Sequence, residues 1–88
     1  MMTTQPPALA TTQLLETTIS ILSARKDLLE ILSLYGVRNS VELGEKLERH
    51  QISEHPGYED FLAAQQLEND LQQSIDKARG ILTTISPA

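Results

Sequence analysis

Apolar side chains recur at the period of an α-helix along two long stretches of this sequence, and that pattern constrains the fold more than any other feature. Between Thr11 and Tyr35 they fall at Leu14, Leu15, Ile21, Leu22, Leu28, Leu29 and Leu32. A second row holds Phe61, Ala64, Leu67, Leu71, Ile75, Ala78, Ile81, Leu82 and Ile85. Each has the spacing of one helix face, and no stretch alternates as a strand would. At 1.5 Å per residue the two rods reach roughly 37 and 43 Å, which suits an extended antiparallel hairpin.

Punctuation sets the ends of the elements. Residues 1–9, with Pro6 and Pro7 adjacent, read as a disordered tail, and residues 10–88 as a single helical domain. The first helix, about 11–35, should stop at Gly36, which can take the left-handed cap conformation, with Val37 folding back onto Leu32 in a Schellman ending. Asn39 and Glu42 match a capping box: the Asn side chain accepts from the N3 amide and the Glu carboxylate returns to the Asn39 N–H. This starts a short connector helix, about 40–51, carrying Val41, Leu43 and Leu47, in which Gly44 costs about 1 kcal/mol relative to Ala. Pro56 suits a first helical turn and pushes His55 out of the α region. Glu59 and Asp60 then complement the dipole of a third helix, about 56–85, that ends before Pro87.

With 88 residues and no Cys, the chain has neither a disulfide nor a thiolate metal site to staple it, and a monomeric core of this size seldom supplies more than roughly 3–5 kcal/mol. Ile19, Ile31 and Leu34 lie outside the main band of the first helix. The connector helix can cover Ile31 and Leu34, leaving the far ends of the long helices to meet a second copy or another protein. The expected architecture is therefore all-α, a helical hairpin that dimerises into a four-helix-type bundle. Its interface would draw on Leu14, Leu15, Ile21, Leu22, Leu67, Leu71, Ile75 and Leu82. Arg25 and Glu68 interrupt the two stripes at similar distances from the turn, which suggests an ion pair fixing helix register, within a subunit or across the dimer.

Twelve acidic against seven scattered basic residues give a net charge of −5, which argues against direct nucleic-acid contact. No apolar run is long enough to span a bilayer and no secretory leader is legible, so the expected address is the cytoplasm. The densest polar cluster is residues 50–60. His50 and His55 are five apart across a helix break, a spacing that fits no metal motif, so no metal or cofactor is expected. No nucleophile has a base at a recognisable spacing, so an enzyme is not expected either. The same cluster, through His50, His55, Tyr58 and Glu59, is the candidate partner-binding site. The chain thus reads as a small acidic interaction module: an adaptor, small chaperone or subunit of a larger assembly. The alternative is an acidic decoy that uses Glu42, Glu45, Glu48, Glu54, Glu59 and Asp60 to occupy a basic surface on a nucleic-acid-binding or nucleotide-using protein.

Overall fold

The computed structural model describes residues 7–85, folded as three helices: α1 (Pro7–Tyr35), α2 (Ser40–Glu48) and α3 (Glu54–Ile85). α1 and α3 run antiparallel. Tyr35 at the end of α1 meets Asp60 near the start of α3, while Glu16, Thr17 and Ser20 share a depression with Ser74 and Lys77. The molecule is a rod of 61 × 18 × 17 Å with a Cα radius of gyration of 17.6 Å, against about 12 Å for a compact domain of this length.

α1 begins earlier than the tail reading allows, because Pro7 occupies its first turn, where a missing N–H costs nothing. Residues 1–6 and Pro87 lie outside the described residues. At the other end, Gly36 takes φ 64°, its N–H bonds the Ser33 carbonyl at 3.3 Å, and the Val37 N–H bonds the Leu32 carbonyl at 3.1 Å. That is the expected Schellman ending. α1 has no basic residue in its last turn, and Lys46 of α2 supplies one from outside, its Nζ donating to the Tyr35 carbonyl at 2.8 Å.

The core sits at the turn end. Leu28, Leu32, Val37, Leu43 and Ala64 are buried together, with Ile31, Tyr35, Ile52, Phe61, Leu67 and Leu71 packed around them. Away from the turn only two helices remain, and the buried residues thin out to Ala10, Thr17 and Ile81. Thr17 is tolerated there because its hydroxyl donates to the Gln13 carbonyl at 2.8 Å. Ile31 packs against this shared core, whereas Leu34 is 75% exposed and is not covered.

α2 is shorter than expected. Asn39 caps it, its Oδ1 accepting from the Glu42 N–H at 2.9 Å. The Glu42 carboxylate, however, reaches one residue further back than a capping box, accepting from the Arg38 N–H at 2.9 Å and from the Arg38 guanidinium. These bonds, the backbone one first, hold the Glu42 carboxyl below the usual carboxylate range. Gly44 has a packing reason: a Cβ there would lie 2.9 Å from the Phe61 ring, so glycine lets α3 approach. α2 ends at Glu48 rather than Gln51 because His50 turns left-handed, at φ 56°. The His50 N–H bonds the Leu47 carbonyl at 3.1 Å and the Gln51 N–H bonds the Lys46 carbonyl at 2.9 Å, a second Schellman ending with histidine where glycine is usual. A left-handed conformation disfavours any side chain by about 1–2 kcal/mol. His50→Gly should therefore stabilise the fold by about 1 kcal/mol, raising the melting temperature by roughly 4–8 °C. Circular dichroism melts check this, and a fall would mean that the imidazole makes a contact worth more than the strain.

α3 is continuous from Pro56, since His55 has extended backbone (φ −117°, ψ 122°) as the proline requires.

Candidate interaction surface

α1 carries apolar residues on two sides. One side, with buried Leu28 and Leu32, joins the core, and half-buried Leu14 and Ile21 continue it at the helix period. On α3, Leu67 and Leu71 pack against the same core and Ile75 is half-buried. Leu15, Leu22 and Leu29 stand seven residues apart on the other side with Ile19 between them, and all four are 52–61% exposed. Leu22, Arg25, Lys26, Leu29, Glu30 and Ser33 line a shallow depression along this outer face. Leu82, the last of the expected interface residues, is exposed on α3. The interface set read from sequence therefore divides into residues that join α1 to α3 and residues that face outward.

Arg25 and Glu68 do not pair within the chain. Among the described residues Arg25 makes no ion pair, and it belongs to the outer depression. Glu68 faces α2 instead, its carboxylate accepting from the Ser40 N–H at 2.8 Å and from the Ser40 hydroxyl. A carboxylate at the first turn of α2 meets unpaired amides and the positive end of the helix dipole. Sequence spacing put the two charges level along the rods but could not tell that they leave the helices in different directions.

The 50–60 connector is only partly assembled. His55 Nδ1 lies 2.8 Å from Glu59 Oε1, and the Glu59 carboxyl is held low by its own backbone N–H and then by His55. Tyr58 tilts against Phe61, ring centroids 6.4 Å apart, and lines a second depression with Leu47, Glu48, Glu54 and His55. His50 is not among its lining residues; its role is the backbone turn. Among the described residues no three of His, Asp and Glu converge as a metal ion would require, and no helix is long and apolar enough to cross a membrane.

Tyr35 ties the three helices together, its carbonyl held by Lys46 and its hydroxyl donating to the Asp60 carboxylate. That hydrogen bond, then burial, then the charges of Asp60 and Glu59 push the phenol up to about 12. Its folded value thus lies above the unfolded one of about 10, so the folded state holds the proton more tightly and the contribution is complete below pH 10. Between pH 10 and 12 stability should fall as the proton is lost. Urea unfolding across that window tests this: Tyr35→Phe should flatten the fall, and an unchanged slope would assign it to other groups.

No curated protein and no solved structure is significantly similar to the chain. A family match covers residues 11–79, from the early turns of α1 through α2 to the later turns of α3, and the chain belongs to that family, described as Uncharacterized protein MJ0235 family.

Proposed function

We propose that the chain is a non-catalytic helical interaction module, an adaptor, small chaperone or subunit, that holds a protein chain against the outer face of α1. The observation that carries this reading is the row Leu15, Ile19, Leu22 and Leu29, more than half exposed on a helix whose opposite side is already committed to α3. A row of large apolar residues in open water, fixed on a preformed helix, is what a helical partner needs to bury. The decoy reading has less support, since Glu42, Glu59 and Asp60 are engaged by Arg38, His55 and Tyr35.

A photo-cross-linking amino acid at Leu22, in cells of the native source, should give discrete protein adducts that Leu29→Asp removes. The same group at exposed Gln65 of α3 should not. Absence of any adduct at Leu22 would overturn the reading.

A further inference from the structure

Resting on that reading, we infer that the occupant of the outer face of α1 is a second copy of this chain, with the two α1 helices side by side and parallel. Leu15, Leu22 and Leu29 repeat every seven residues, and Ile19, Lys26 and Ser33 follow each of them by four. This is a coiled-coil seam with leucines at d and Ile19, Lys26 and Ser33 at a, and in a parallel arrangement an Ile at a with Leu at d, as at Ile19 and Leu22, favours two strands over three or four. The seam is self-complementary, as a two-fold interface requires.

Charge selects the direction. In a parallel pair the residue before each a position faces the residue after d in the next heptad of the partner. Here that sets Arg25, which makes no ion pair among the described residues, against Glu30 of the second copy, twice over. An antiparallel pair overlapping all three leucines would instead oppose Arg25 to Arg25 and Glu16 to Glu30. Lys26 is the one charge inside the seam. Its ammonium already lies 3.1 Å from its own Glu30, and a lone lysine at a fixes register at some loss of affinity. Since the seam is on the side of α1 away from α3, the dimer would be a layer with α1 helices central and α3 helices outside, rather than the four-helix-type bundle expected from sequence.

Sedimentation and native mass spectrometry of the full chain from 1 to about 100 µM should show a dimer of 9.8 kDa subunits. Because the chain has no Cys, Ser33→Cys introduces a single thiol; in glutathione buffer it should give a covalent dimer, whereas an antiparallel pair would hold the two sulfurs roughly 27 Å apart along the axis. R25E and E30R should each weaken the homodimer about tenfold, and an equal mixture of the two chains should form mainly the heterodimer, in which both charge pairs are restored. Leu22→Asp should be monomeric with unchanged helix content, since Leu22 is exposed in the single chain. A monomer across the whole range, a dimer that Ser33→Cys fails to link, or no preference for the mixed pair overturns the inference. A monomer whose Leu22 still cross-links to another protein would sink the self-association alone and leave the interaction reading standing.

Discussion

Leu43→Ala is expected to destabilise the chain by about 3 kcal/mol, in the usual range for truncating a buried leucine. Among the described residues Leu43 is the one large side chain fully withdrawn from water, at 0% exposure, and it belongs to the core shared by α1, α3 and the turn. α2 has nine residues, too few to persist alone, so its position depends on that leucine more than on its own hydrogen bonds. A core of this size seldom supplies more than roughly 3–5 kcal/mol, and the substitution would remove most of it. The melting temperature should drop by roughly 12–24 °C, read by circular dichroism at one fixed protein concentration, because association would add stability by mass action. Leu34→Ala is the control: 75% exposed, it should change stability by no more than about 0.5 kcal/mol. Equal, small changes in both variants would show that Leu43 does not anchor a shared core.

Much of this architecture is legible in the sequence because its boundaries rest on local chemistry. Gly36 followed by Val37, Asn39 three residues before Glu42, and Pro56 after His55 each specify a backbone event within four residues, and each occurs close to where the residues require it. The end of α2 escaped detection because its left-handed residue is His50, where glycine is the usual sequence signal of such an ending. Gly44 read as a weak point of its helix because the ring it accommodates, Phe61, comes from another element. The outer face of α1 was half visible. Excess apolar surface could be counted, but which of Leu14 and Leu15, or Ile21 and Leu22, turned toward α3 needed the packed structure. Adjacent residues on a helix diverge by about 100°, so a seven-residue row and its neighbour one position later belong to different surfaces.

The two charges that interrupt the stripes show the same limit. Glu68→Ala is expected to cost about 2–3 kcal/mol, because Ser40 is only 3% exposed and would lose the acceptor for both its N–H and its hydroxyl. A buried donor left without a partner costs about 1–3 kcal/mol, and the first turn of α2 would also lose a carboxylate at its positive end. Glu68→Gln should cost less, since its amide oxygen can still accept one of the two bonds. Double-mutant cycles identify the partner. Ser40→Ala with Glu68→Ala should show coupling of about 1 kcal/mol, while Arg25→Met with Glu68→Gln should stay below about 0.3 kcal/mol. The reverse pattern would return the register to an Arg25–Glu68 ion pair. With the expected pattern, register is set where α2 crosses α3, by a carboxylate capping a helix it does not belong to. Arg25 then remains available on the outer face of α1.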